Sequence, residues 1–392
     1  MRRIPQITIL LIFLTLAGCS HEANDTNQIV LGGLEKDLVL DADYSVVEGQ
    51  FGTGSMYQLY CPTSWNGGLV VYAHGYAFPS EDPALPSIDD LRDALMEMGY
   101  GVAYSSYSQT GWAVHEAMNE TRQLRGLFSG AFGHPDKTYL MGKSMGGNIA
   151  VALAERNPKL YDGVVPLCGV VGGTKMAVDY VFNVRLLFDY YYPGVLPGNA
   201  YDVPEGLDPG TAFYLAQLAL MANPMPAFEL AGIHPTNIQY ADATELFTAI
   251  LTGIYFQVGS FNDFRERVHG HDFFDNTDVW YSGSSDDETL NAEIPRFSST
   301  PDAEAYLRQW YEPSGKLKIP AVSIHTTRDE VVQVFQEDRY FDIVSEAGYS
   351  ENLVQHYIDR FGHCVFTLEE ILAAFDEMVA MSESGVEIKP RD

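Results

Sequence analysis

Basic residues are scarce in this chain: 23 lysines and arginines face 53 aspartates and glutamates, giving a formal charge of −30. A surface so poor in cations cannot neutralise a phosphate backbone, which argues against nucleic acid and other polyanions as partners. Cysteine is sparse as well. There are four, with no CxxC pair, so neither a thiolate zinc site nor a dithiol redox centre has its spacing here. Long apolar runs are missing except near the N-terminus, so no membrane-crossing helix is expected in the body of the chain. There is no internal repeat and no low-complexity segment. What is present, 46% hydrophobic and only 19% charged residues, suffices for one large core with an insertion.

The one apolar run is Ile7–Leu16, preceded by Arg2 and Arg3 and followed by Leu16-Ala17-Gly18-Cys19. It is too short for a span and has the build of a secretory signal. Its ending resembles the lipobox of bacterial lipoproteins, which implies cleavage after residue 18 and acylation of Cys19. Residues 19–43 then read as tether and lead-in, opening on the polar Ser20, His21, Glu22, Asn24 and Asp25. Ser20 after the cysteine resembles the outer-membrane sorting pattern. The expectation is a protein exported across the inner membrane and held by lipid at the cell envelope.

Strand-like and helix-like runs alternate over 44–172 and again over 319–392, which predicts an α/β fold: a mostly parallel sheet with helices on both faces. Gly68–Ala73 (GLVVYA) is continuously apolar and therefore central. Residues 173–318 break the alternation with helical, aromatic-rich stretches and loops dense in Pro, Asn and Asp. A long insertion between two parts of one sheet predicts a mainly helical cap.

Chemistry concentrates at strand ends. Gly142-Lys143-Ser144-Met145-Gly146-Gly147 follows a strand and opens a helix, the context of a G-x-S-x-G nucleophile elbow. There the serine hydroxyl stands exposed, and the Met145 N–H at the helix start points to where an oxyanion forms. His74-Gly75-Tyr76 ends the central strand, and the Tyr76 N–H is expected as the second oxyanion donor. An acid and a histidine should follow in chain order. Asp329 lies just past the strand PAVSIH, with Glu330 as local competitor. His363 lies in a loop before the last helix, whereas His115, His134, His325 and His356 sit on helix ends or inside strands. Ser144, Asp329 and His363 are thus the expected triad.

Cys168 ends the strand GVVPLC beside the elbow, and Cys364 follows His363, so both are drawn to one region. They are expected to form a disulfide, leaving Cys61 unpaired. Trp112, in the polar loop SQTGW, is a candidate pocket wall, and Tyr190 and Tyr191 are candidates from the cap. The cluster His269, His271, Asp272, Asp275 and Asp278 lacks EF-hand spacing and reads as a solvated cap loop, not a metal site.

Together GKSMGG, HGY, TTRDEVV and GHC resemble the α/β-hydrolase superfamily over nearly all of 44–385 apart from the cap. WNGGLVVYAHGY, FDNTDVWYSGSSDDETLNAE and GHCVFT resemble, more narrowly, secreted bacterial hydrolases loosely related to esterases of the feruloyl and tannase type. The expectation is cofactor-free hydrolysis of a small, uncharged, moderately apolar or aromatic ester. A serine peptidase on the same fold is one alternative. A surface binding protein with a vestigial triad is the other.

Overall fold

The computed structural model describes residues 26–28, 37–40, 43–310 and 312–384. The expected signal segment, Cys19 and most of the expected tether lie outside them. Among the described residues ten strands form one sheet: β1 (Thr26–Gln28), β2 (Asp37–Leu40), β3 (Tyr44–Gln50), β4 (Met56–Pro62), β5 (Gly68–Ala73), β6 (Gly101–Ser105), β7 (Lys137–Lys143), β8 (Gly163–Leu167), β9 (Ala321–Arg328) and β10 (Leu353–Phe361). Their order is β1-β2-β3-β4-β6-β5-β7-β8-β9-β10. The first four are antiparallel neighbours and β4 meets β6 antiparallel; from β6 to β10 every pairing is parallel. This is the α/β-hydrolase fold. The sheet also reaches further back than the sequence suggests, because β1 and β2 fall within the segment expected to be tether.

β5 is buried at all six positions because it pairs on both sides and is covered on both faces. Each such Val or Leu contributes about 1.5–3 kcal/mol relative to exposure. Helices α1 (Asp89–Glu97), α2 (Val114–Phe132) and α3 (Met145–Arg156) follow β5, β6 and β7. Connecting β6 to β7 carries the chain back across β5, so the strand order reverses there. Ends of strands flanking such a switch are where α/β sheets place their ligands. Ala73 pairs with Gly142, which puts the HGY turn beside the elbow.

Between β8 and β9 the described residues hold six helices: α4 (Thr174–Tyr191), α5 (Pro209–Ala222), α6 (Met225–Ala231), α7 (Ala243–Arg267), α8 (Asp287–Glu293) and α9 (Pro301–Trp310). α7 starts where the Asp242 side chain accepts from the Thr244 and Glu245 N–H groups. The Trp112 loop ties cap to sheet. Its backbone N–H donates to Asp263 of α7 at 2.7 Å, and its indole N–H donates to Thr174 of α4 at 2.8 Å. The chain returns through α10 (Phe335–Glu346), between β9 and β10, and closes with α11 (Leu368–Glu383). The acidic cap residues mostly serve their own turns: Asp275 accepts from Thr277 and Ser299, and Asp286 caps α8.

Candidate active site

Ser144 sits between β7 and α3 with φ 59° and ψ −124°, off the regions a serine normally occupies. Two glycines make the turn possible. A Cβ on Gly142 would lie 2.0 Å from the Gly146 carbonyl, and one on Gly146 would lie 2.0 Å from that of Ala73. Any side chain at either position would push strand, turn and helix apart. The hydroxyl is left at the edge of a cavity, on a residue only 9% exposed.

Asp329 follows β9. Its Oδ1 accepts from the Val331 and Val332 N–H groups at 2.9 and 2.8 Å, which fixes the carboxylate plane. Its Oδ2 lies 2.8 Å from Nδ1 of His363. Burial alone would raise its pKa. The charge and hydrogen bonds of His363, with a further contribution from His325, hold it below the ordinary carboxylate range. It is therefore ionised wherever the protein is folded at neutral pH. Glu330 makes no bond to the His363 ring; its carboxylate meets the His363 backbone N–H instead, and burial first of all pushes its pKa up. Of the two acids, Asp329 is the one placed to orient the base.

The His363 loop is held from three sides. Gly362 donates to the Arg328 carbonyl at 3.1 Å, and Thr326 Oγ1 donates to the Gly362 carbonyl at 2.7 Å. Downstream, Thr367 and Glu370 form a reciprocal capping box that fixes where α11 begins. Between these, Cys364 is joined to Cys168 at the end of β8, with Cα atoms 5.3 Å apart. Cys61 is free, and burial pushes its thiol up to about 11. The sulfurs of Cys168 and Cys364 and a ring nitrogen of His363 lie within 4.8 Å of one another. With both sulfurs spent on the bridge no thiolate remains, so the three do not make a ligand set.

The bridge joins the loop carrying the base to a strand beside the nucleophile, so its removal should loosen the site before it loosens the fold. We expect the Cys168→Ser/Cys364→Ser double variant to lose roughly 10- to 100-fold in turnover, the scale on which a misplacement of about 1 Å acts. Turnover and thermal melting measured on one preparation check this. Activity that persists unchanged until the protein melts would show that the bridge is irrelevant to the base.

Tyr76 and Met145 flank the serine. Their backbone N–H groups donate to no protein acceptor among the described residues, as donors reserved for a substrate oxygen should be. A Cβ on Gly75 would sit 3.2 Å from that of Ser144, so the glycine lets the turn lie flat against the nucleophile. One such donor contributes about 3–4 kcal/mol to transition-state stabilisation.

The cavity holds about 760 Å³ and is lined by Ser144, His363, Tyr76 and Trp112, a size suited to a small organic ligand. Its walls belong to two separate apolar clusters. Ala177, Val178 and Val181 of α4 and Phe264 of α7, from one cluster, close the cap side together with Phe256. Tyr72, Leu91, Phe366 and Ile371 close the side beyond the sheet. Ser144 and His363 stand between, so a ligand beside them can place one apolar group on each side.

Tyr190 and Tyr191 do not line the cavity. They lie at the far end of α4, two to three turns past Val181, or about 14 Å along the axis. Phe256 and Phe264, which do line it, were hidden in sequence by the length of α7. We expect Ala177→Phe to cut turnover of aryl-acyl esters relative to acetyl esters by roughly 10-fold or more, while Tyr190→Ala leaves the ratio unchanged. Matched substrate series on both variants check this. A change in the ratio with Tyr190→Ala alone would relocate the pocket.

No family model matches the sequence. The chain is 21% identical over 409 residues to an o-phthalyl amidase of Xanthobacter agilis, covering 86% of this chain and 87% of that protein. Similar solved structures include an esterase of Pyrococcus furiosus, at 13% identity and a TM-score of 0.43, covering 87% and 91% of the two chains. A monoacylglycerol lipase of Paleococcus ferrophilus has 16% identity and a TM-score of 0.39 over 81% and 96%. A proline iminopeptidase of Mycobacterium smegmatis has 10% identity and a TM-score of 0.43 over 92% and 99%. Scores this low leave the fold assignment resting on strand order.

Proposed function

We propose that the protein is a serine hydrolase that cleaves carboxylic esters through an acyl-enzyme on Ser144. The observation that carries this is the Asp329–His363 contact of 2.8 Å on the same cavity that Ser144 and the Tyr76 turn line. His363 takes the serine proton as the hydroxyl attacks the ester carbonyl carbon. The Met145 and Tyr76 N–H groups receive the oxygen that becomes negative. His363 then returns the proton to the departing alcohol, and water repeats the sequence to release the acid. Asp329 holds the proton-bearing Nδ1 of the base and balances its positive charge.

The largely apolar walls favour an uncharged acyl group of moderate size, aliphatic or aromatic. Amide hydrolysis is the second reading, favoured by the relative named as an amidase. Aryl esters and anilides of the same acids separate the two. We expect esters to exceed anilides in kcat/KM by several orders of magnitude; anilide turnover equal to or above the ester's would replace the esterase reading by the amidase one.

The cell envelope is the proposed location, with Cys19 as lipid attachment point. Two or more acyl chains anchor firmly, since each buried CH₂ contributes about 0.8 kcal/mol. Cys19→Ser should release the protein from the membrane fraction or stop its processing. Unchanged processing and fractionation would end the anchor proposal.

A further inference from the structure

A second histidine lies against Asp329. His325 is on β9, fully buried, and its Nε2 is 3.6 Å from Asp329 Oδ2. Both ring nitrogens face oxygen. Nε2 is 2.8 Å from the Val332 carbonyl, which can only accept, and Nδ1 is 3.1 Å from Oε1 of Glu337 on α10. The Glu337 carboxylate in turn receives the Ser323 hydroxyl on Oε1 at 2.6 Å and the Gln355 amide on Oε2 at 2.7 Å. A neutral imidazole satisfies only one of its two contacts as a donor. The proton that His325 and Glu337 share belongs on the ring, because Ser323 and Gln355 already serve the carboxylate and a second carboxylate faces Nε2.

We propose that His325 is a buried imidazolium that positions Asp329, so that the triad is the visible end of a four-membered chain, Glu337–His325–Asp329–His363. The arrangement gives Asp329 a buried imidazolium beside it in addition to the His363 ring. With Val331 and Val332 on Oδ1, His363 and His325 near Oδ2, the carboxylate has no freedom to turn away from the base. The fixed charge also offsets part of the field that Asp329 exerts on His363. Burial would lower the His325 pKa, and the hydrogen bond and charge of Glu337, then the charge of Asp329, raise it above the ordinary value. The other titratable groups facing this cluster are Glu330 on the following loop, Tyr180 of α4, Tyr340 of α10 and Tyr357 of β10. None of them is cationic, so His325 has no substitute.

His325 touches no cavity surface and is a positioning residue. The proposal rests on the serine-hydrolase reading, and its test uses a probe that needs no knowledge of the substrate. The rate at which a fluorophosphonate labels Ser144 is followed against pH for the full-length native protein, His325→Gln, and His325→Gln/Glu337→Gln, with melting temperatures alongside. The single variant leaves a carboxylate buried without its cation and is expected to be less stable; the double variant removes that carboxylate and keeps the test valid if the single one does not fold.

In the double variant we expect labelling at pH 7 to be at least about tenfold slower than native, with the acid limb of the profile displaced upward by about one pH unit. A merely structural histidine would change the melting temperature and not the profile. If the double variant melts near the native temperature and its profile superimposes on the native one, the chain ends at Asp329 and the proposal is overturned. A native protein that is not labelled at all would remove the serine-hydrolase reading, and this proposal with it.

Discussion

Ser144→Ala is expected to fold as the native protein does and to turn over esters at least about 10³-fold more slowly. The substitution removes one oxygen atom and leaves Cβ in place, so the packing of the turn against Gly75 is kept. The unusual backbone at residue 144 costs an alanine about what it costs a serine, because the strain comes from Cβ and not from the hydroxyl. What is lost is the only hydroxyl on the loop between β7 and α3, where the His363 loop and the two free N–H groups converge. Residual turnover above water is expected, since the N–H groups still receive the carbonyl oxygen. Melting temperature and ester turnover on one preparation check both halves. Turnover within tenfold of native would mean that the nucleophile is elsewhere.

Asp329→Asn should cost about 10⁴-fold, and Glu330→Gln almost nothing. The geometry explains the size of the first effect. Oδ1 of Asp329 is bound by the Val331 and Val332 N–H groups, so an asparagine must put its oxygen there and its NH₂ in the place of Oδ2. That NH₂ would stand 2.8 Å from His363 Nδ1 and donate to it. The oxygen at Oδ1 lies 3.0 Å from the same nitrogen but is already shared by two backbone N–H groups, so the ring proton shifts to Nε2, leaving no lone pair to take the serine proton. Glu330 meets the His363 backbone and not its ring, and a Gln amide oxygen can accept the same N–H, so its amide changes little beyond local burial. Turnover of the two variants at several pH values tests this; comparable losses in both would show that the acid role is shared or misassigned.

The strand ends that bring Ser144, Asp329 and His363 together were legible because their signals are local. GKSMGG needs its glycines wherever the fold occurs, since a Cβ at residue 142 or 146 meets backbone at 2.0 Å. GLVVYA could only be a central strand, and Asp329 and His363 stand directly after strands that the apolar pattern marks. The Cys168–Cys364 bridge followed from the same placement. What stayed hidden depends on contacts between distant segments. Nothing in the spacing of α4 says that its first turns face the cavity while Tyr190 and Tyr191 face away. β1 and β2 are short antiparallel strands at one end of the sheet and were read as tether and lead-in. His325 was set aside as a base because it lies within a strand, and that placement is what puts it against Asp329. Glu337, its partner, comes from a helix whose rotation about its axis no motif records.

The central claim is that an acyl group passes through Ser144. Mixing the protein with a p-nitrophenyl ester, quenching in acid within the first turnover and mapping the peptides by mass spectrometry tests it most directly. The account predicts the acyl mass on the peptide containing Ser144, a burst of nitrophenol equal to the enzyme present, and neither in Ser144→Ala. Steady release of nitrophenol with no adduct at any serine, or an adduct on another residue that persists in Ser144→Ala, would contradict it.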